Sequence, residues 1–462
     1  MMIIQHAFED IILTGDIFKY LSFLFHISAD QSQTTLRSKL EALQCHFTWI
    51  LEPSKINLVL HRDKLVDIGT EDGNSWLGHI YNLRGFIQCK LGSTEDALSF
   101  FLQAAEAFGQ MRRAGEGPWL VVNYGNLAWL HHLLGDQAES EAYLSKVEAI
   151  KKKYPTPSED ELHAELYAEK AWTLMILDIE RELVSDYFQK AIQMQPDMVE
   201  WNTSHVIGLA SNFVRGSTKM EADILDKMRD AKEQDPENLY LAACDIQIRA
   251  TKRQDVADEA RELAKRVSIN PVSSYSQMRA ILRVYRTCRL IDEAILLAAK
   301  AVENNPDQRY LKKFAALTLK WKIVFFSDSG VDERMVDRAV ILHKEVISLY
   351  PDSAFVEEMD LANIYAKSKH RQDEAKHLYG ELLERKLEPA EKQVLYKHYA
   401  KHLLFDLKDY NKSIEYNMKA AKIPINSFYR ESSIKALVKS KNKGRNPKCR
   451  EIEEFLENLK KP

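Results

Sequence analysis

Glycine and proline are scarce in this sequence, 16 and 13 among 462 residues. So few turn formers exclude a fold of many tight hairpins and favour an all-helical chain. Cysteine is scarcer: Cys45, Cys89, Cys244, Cys288 and Cys449 are odd in number, widely spaced and form no C-x-x-C pair. That argues against a disulfide framework and a cysteine zinc site, and predicts a reducing compartment, the cytoplasm. Apolar runs are short as well. IFKYLSFLFHI at positions 17–27 is broken by Lys19 and follows Glu9, Asp10 and Asp16, so it reads as neither a membrane span nor a secretory signal. Net charge is small, −4, and draws the chain as a whole to neither a membrane nor DNA. Any attraction to an anionic partner has to be local.

What is present is enough apolar material for a core, 45% hydrophobic and 10% aromatic residues, and a repeat. YNLRGFIQCKLGSTEDALSFFLQAA sets Gly85, Gly92, Ala97, Phe101 and Ala104 at the small–bulky–small spacing of a tetratricopeptide repeat. NYGNLAWLHHLLGDQAESEAYLSKV repeats it with Ala128, Gly135 and Leu144. A third unit contains Trp172 and closes on Phe188, Ala191 and Pro196; a fourth closes on Met228, Ala231 and Pro236. Pro236, Pro271 and Pro306 then recur 35 residues apart, near the repeat period of roughly 34. Pro196 to Pro236 and Pro306 to Pro351 are longer, which predicts insertions or longer helices there. Eight or nine units are countable, the last two at Asp360–Leu383 and His398–Ala421. The expected organisation is a variable extension over 1–38, a repeat array over 39–445 opened by an amphipathic helix at Lys39–Leu51 with Leu40, Leu43, Phe47 and Ile50 on one face, and a tail over 446–462. Stacked pairs of this kind coil into a superhelix whose first helices line a groove or tunnel.

Two stretches are basic. From Ser276 to Lys322 ten Lys and Arg stand against four acids, and Arg279, Arg283 and Arg286 fall at i, i+4 and i+7 along one helical face, with Arg289 drifting slightly round. Tyr285, Tyr310 and Phe314 are interleaved, a combination suited to phosphates and stacked bases of single-stranded RNA. A solvated face is the plainer reading of any single cation. From Arg430 to Arg450 eight cations face one acid, Glu431; a capping helix with a soluble tail accounts for them equally well. Trp172 sits where the repeat usually has a small residue, as either a core ring or one facing the groove. No H-E-x-x-H, G-x-x-x-x-G-K-[ST] or G-x-S-x-G occurs, and His131 and His132 point to different helix faces. No catalytic residue, metal site or cofactor is expected.

C-H-F-T-W at Cys45–Trp49, N-L-A-W at Asn126–Trp129, E-K-A-W at Glu169–Trp172 and D-L-A-N-I-Y-A at Asp360–Ala366 follow one another in order. In these motifs the chain resembles the interferon-induced proteins with tetratricopeptide repeats, from about Lys39 to Lys443. The resemblance implies a non-enzymatic antiviral protein that grips the 5′ end of foreign single-stranded RNA, bearing a triphosphate or an incompletely methylated cap, and blocks its translation. It implies RNA contacts at Trp172, Arg279, Tyr310 and Lys443. Ile68, Ser75, Ser211 and Ala280 depart from the family pattern; Lys64 and Lys313 stand as replacement charge. Related repeat proteins and translation factors are implied as partners. The alternative is a peptide-binding scaffold whose cations clamp a carboxylate terminus.

Overall fold

In the computed structural model, the residues described are 35–68, 74–112, 116–156, 158, 161–214, 224–269, 275–326, 331–442 and 447–459. Among them every regular element is a helix. The first are α1 (35–41) and α2 (Lys55–Ile68), followed by α3 (Leu77–Leu91), α4 (Thr94–Arg112), a 3₁₀ turn at Pro118–Leu120, α5 (Val121–Leu133) and α6 (Gln137–Lys153). Then come α7 (Ala164–Leu177), α8 (Arg181–Met194), α9 (Val199–Val214), α10 (Ile224–Gln234), α11 (Leu239–Thr251) and α12 (Ala257–Ile269). The series continues with α13 (Tyr275–Thr287), α14 (Ile291–Asn304), α15 (Arg309–Phe325), α16 (Glu333–Leu349), α17 (Phe355–Lys367) and α18 (Gln372–Glu384). It closes with α19 (Pro389–Phe405), α20 (Tyr410–Lys422), α21 (Phe428–Asn442) and α22 (Cys449–Asn458). From α3 on, the helices pair first with second. The chain divides into two compact units, residues 1–241 and 242–462.

In the first unit the pairing follows from residue size. A Cβ on Gly85 would lie 2.6 Å from the ring of buried Phe101, and one on Gly78 would lie 2.7 Å from Phe108. Only hydrogen fits there, so α3 and α4 close against each other. The same positions recur 43 residues on as Ala128 and again as Ala171, all buried. Gly92 and Gly135, at φ +94° and +81°, make the left-handed turns between helices, a conformation in which a side chain is strained. Each of the first three pairs also carries a ring from both helices under a cation. Tyr81 stacks with Phe100 at 6.3 Å beneath Arg84, Tyr124 meets Tyr143 at 5.8 Å beside Lys146, and Tyr167 stacks with Tyr187 at 5.9 Å between Lys170 and Lys190.

The second unit is built on alanine: Ala294, Ala298 and Ala301 of α14 are buried along one stripe. The long interval between Pro306 and Pro351 comes from helix length, since α15 and α16 have 17 residues each against 13 and 14 in α13 and α14. Aspartates start several helices in both units, Asp136 accepting from the Glu139 amide and Asp409 from that of Lys412.

Two local expectations change. The opening helix is residues 35–41 only; the chain then turns, and Ile50, expected on the apolar face, has φ 55° and is 80% exposed. Thr48 is the cause: its hydroxyl donates to the Leu43 carbonyl at 2.7 Å and accepts from the Cys45 amide at 3.1 Å, side-chain bonds that replace helical ones. Within 446–462, α22 buries Ile452 against Leu437 and Ile414, so this stretch extends the packed array. Pro271 lies outside the described residues.

Gly85→Ala is expected to destabilise the protein by about 1–3 kcal/mol despite alanine's better helix propensity. Gly109→Ala and Gly380→Ala, where a Cβ meets nothing within 4 Å, are expected to stabilise by up to about 1 kcal/mol. Urea unfolding of the three variants checks both signs.

Candidate nucleic-acid interface

The arginines of α13 lie on one side because the other side is the core. Met278, Ile281, Leu282 and Tyr285 are buried, while Arg279 is half-buried and Arg283, Arg286 and Arg289 are exposed. Among the described residues Arg279 enters no ion pair. Arg286 reaches the next first helix, its guanidinium 5.1 Å from the Trp321 ring and 5.5 Å from Phe325. Such stacking fixes the side chain without neutralising it.

The lysines of α15 are arranged differently. Lys312 pairs with Glu345 at 2.7 Å, Lys313 with Glu357 at 2.9 Å, Lys320 with Asp360 at 3.0 Å and Lys322 with Asp292 at 2.9 Å. Three of those acids lie on α16 and α17, beyond the stretch counted in the sequence. The basic surplus is therefore smaller in space than along the chain. Arg309 and Lys313 both cover the Tyr350 ring, at 4.3 and 4.5 Å.

Two aromatic residues expected to meet ligand are core residues. Trp172 is 4% exposed and stacks on Trp76 at 5.4 Å with 11° between the planes. Tyr310 is 2% exposed, edge-on to Phe314 at 5.7 Å. In each case a large ring fills the space between a first helix and its neighbours, which leaves the backbone of α7 and α15, not the ring, as what these residues position. Lys64 on α2 lies against α7, its ammonium 3.5 Å from the Ile176 carbonyl. Of the departures, Ile68 packs partly buried on the core and Ser75 is exposed. Lys443 is outside the described residues. In the second basic stretch Lys435, Lys441, Lys448 and Arg450 pair with Glu431, Glu453, Glu415 and Glu454.

The three motifs of the first unit interlock instead of forming a surface. The His46 amide donates to Asn126 Oδ1 at 3.1 Å, Asn126 Nδ2 donates to His46 Nδ1 at 3.0 Å, and the ring's other nitrogen meets the Thr173 hydroxyl at 3.2 Å. Nδ1 accepts, so the proton is on Nε2, and burial pushes the imidazole down to about 3. Trp129 Nε1 donates to the Leu40 carbonyl at 3.0 Å, and Phe47 stacks on Trp129 at 6.0 Å. Glu169, 1% exposed, accepts from Asn82 Nδ2 at 2.8 Å; Asn123 Nδ2 donates to Asn82 Oδ1 at 2.8 Å. Burial raises the Glu169 carboxyl to about 8, the Asn82 bond lowers it, and the charge of Glu165 raises it further. In the second unit Asp360 holds Lys320, and Asn363 bonds Tyr379 and His398.

Sequence reasoning missed the cations of α19. Lys397 is 4% exposed, its ammonium 2.9 Å from both Asn417 Oδ1 and the Ser432 carbonyl. The i, i+4 spacing of Lys397 and Lys401, in a helix with three lysines against one glutamate, was a readable signal. Among the described residues no group of three or more His, Cys, Asp or Glu side chains is placed to hold a metal, and no helix is long and apolar enough to cross a membrane.

Comparison with known proteins places this geometry in context. A tetratricopeptide repeat profile matches residues 76–153, which run from Trp76 through α3–α6. Protein IFIT1 homolog B of Homo sapiens is 26% identical over 435 residues, 89% of this chain and 90% of that one. The antiviral innate immune response effector IFIT1 of Macaca fascicularis is 27% identical over 89% of each chain. Interferon-induced protein with tetratricopeptide repeats 2 of Cricetulus griseus is 24% identical over 85% of this chain and 83% of its own. Among solved structures, an IFIT1 monomeric mutant with Gppp-AAAA matches with TM-score 0.70 and 22% identity over 92% of this chain and 99% of that one. The human IFIT1 dimer with PPP-AAAA matches with TM-score 0.66 and 23% identity over 92% and 95%. These structures share the fold of the helix-pair array.

Glu169 also sets a pH dependence. Its folded pKa, about 8, lies above the ordinary 4.5, so the folded state holds a proton that the unfolded chain releases. Stability from this group is complete below 4.5 and lost as pH rises through 8. Glu169→Gln keeps an acceptor for Asn82 and has no charge to bury. Between pH 5 and pH 8 it is expected to gain on the order of a few kcal/mol relative to the parent, read by urea unfolding at several pH values; equal slopes for both proteins would contradict the assignment.

Proposed function

From its homology to the interferon-induced proteins with tetratricopeptide repeats along about nine-tenths of the chain, we propose that this protein binds the 5′ end of foreign single-stranded RNA and blocks its translation, acting in the cytoplasm without breaking a bond. A 5′-triphosphate or an incompletely methylated cap is the feature it recognises. Relatives named antiviral effectors and IFIT1 structures carrying Gppp-AAAA and PPP-AAAA support this reading.

The observation that carries it in this chain is the face of α13. Arg279, Arg283 and Arg286 share one side of a first helix, Arg279 outside any ion pair among the described residues and Arg286 braced on Trp321. A row of guanidinium groups at helical spacing matches successive phosphates and binds them with two parallel hydrogen bonds each. Lys313, Lys64 and Lys443 are the further cations this reading assigns to RNA contact. Trp172 and Tyr310 act from the core by fixing the helices that hold the cations.

Replacing Arg279 and Arg283 by Glu is expected to weaken binding of 5′-triphosphorylated single-stranded RNA at least tenfold, about 1.4 kcal/mol, and to lower the salt slope by about two units. A gel-shift titration at several salt concentrations measures both. Unchanged affinity, or a protein ligand that survives RNase treatment in its place, would favour the peptide scaffold.

A further inference from the structure

Four successive first helices of the second unit, α15, α17, α19 and α21, are tied together by polar contacts. Lys320 of α15 pairs with Asp360 of α17 at 3.0 Å. Asn363 of α17 meets His398 of α19 at 3.2 Å. Lys397 of α19 reaches the Ser432 carbonyl of α21 at 2.9 Å. Lys401 lies one turn from Lys397 on the same face of α19. Among the described residues Lys401 has neither a hydrogen bond nor an ion pair.

The hydrogen-bond directions make this cluster a set of donors. Asn363 Oδ1 accepts from the Tyr379 hydroxyl at 2.9 Å and its Nδ2 donates to the Met359 carbonyl at 2.8 Å, which fixes the amide's orientation. Nδ2 is therefore also the group facing His398 Nδ1, and Nδ1 must accept. Burial, with the charges of Lys401, Lys320 and Lys397, lowers His398 to about 3, so the ring is neutral and its single proton is on Nε2. Lys397 uses two of its three N–H groups, on Asn417 and Ser432. One carboxylate, Asp360, is set against the three ammonium groups. Lys313 and Lys367 of these helices are engaged elsewhere, with Glu357 and Asp406. Burial lowers both Lys397, to about 8, and Lys401, and each feels a further lysine charge.

Lys397 is buried, Lys320 and His398 are partly buried and Lys401 is exposed; donors so arranged, with two uncompensated positive charges, suit an anion with several acceptor oxygens. We infer that Lys401, with Lys397, Lys320 and His398, forms a phosphoryl-binding site on the first-helix face of the second unit. The identification of its occupant rests on the RNA reading above: a phosphate of the bound strand, either a backbone diester or a terminal monoester. The site adjoins the α13 arginines, since Arg286 and Lys320 both lie over the Phe325 ring, at 5.5 and 5.8 Å, and Lys401 is the residue whose charge it leaves open for the ligand.

Two measurements on the full chain test it. Inorganic phosphate, compared with chloride at equal ionic strength, is expected to raise Tm in the parent and in Lys435→Gln, a surface control, and not in Lys401→Gln. With 5′-triphosphorylated and 5′-hydroxyl single strands of one sequence, Lys401→Gln is expected to lower the salt slope of binding by about one unit. Loss on both strands identifies a backbone phosphate; loss on the triphosphorylated strand alone identifies the terminal one. No phosphate-specific rise in the parent, or an equal rise in Lys401→Gln, overturns the site. Phosphate stabilisation without RNA binding keeps the site and overturns the RNA reading.

Discussion

The first unit depends on two buried hydrogen-bonded networks. His46, in a turn between α1 and α2, is held by Asn126 of α5 and Thr173 of α7, while Glu169 of α7 is held by Asn82 of α3, itself bonded to Asn123 of α5. Three first helices and the segment before them are thereby fixed in register. Removing any one partner leaves the rest without water or a bond, at a cost of about 1–3 kcal/mol each. Packing alone tolerates exchange among apolar side chains; these bonds do not.

Charge in the second unit is disposed by the same logic of neighbours. The lysines of α15 are matched by acids from the two helices that follow and the one before, whereas in α13 Arg286 rests on rings and Arg279 enters no ion pair among the described residues. An ion-paired lysine costs binding energy to recruit, since its acid must be left behind. A guanidinium over an indole is already held in place and still carries its full charge. This difference, more than the number of cations, distinguishes the two helices as places for an anion to bind.

Much of the fold was legible because a repeat repeats: small residues and prolines in register mark helix pairs wherever they recur. The opening helix was misread since periodicity at Leu40, Leu43 and Phe47 continues through a turn that Thr48 makes with its hydroxyl. The site was harder. A window along the chain counts Lys320 and cannot see that Asp360, one repeat later, sits against it. Lys397 and Lys401 escaped notice for the converse reason: they are two of only three lysines in their helix, and only packing brings Lys320 to them. Trp172 was marked correctly as an anomalous large residue, but size out of place does not say whether a ring is filled around or left open, and here Trp76 covers it.

The pairs Lys313–Glu357, Arg371–Asp337, Lys367–Asp406 and Lys448–Glu415 all join one helix pair to the next, whereas the ring-and-cation braces of the first unit close within a pair. Helix pairs of the two units are consequently not exchangeable modules. A pair transplanted from the first unit would arrive with its own brace satisfied and nothing to offer the waiting carboxylates on either side. Each joint in the second unit is keyed, and growth or loss of the array there has to preserve donor and acceptor together.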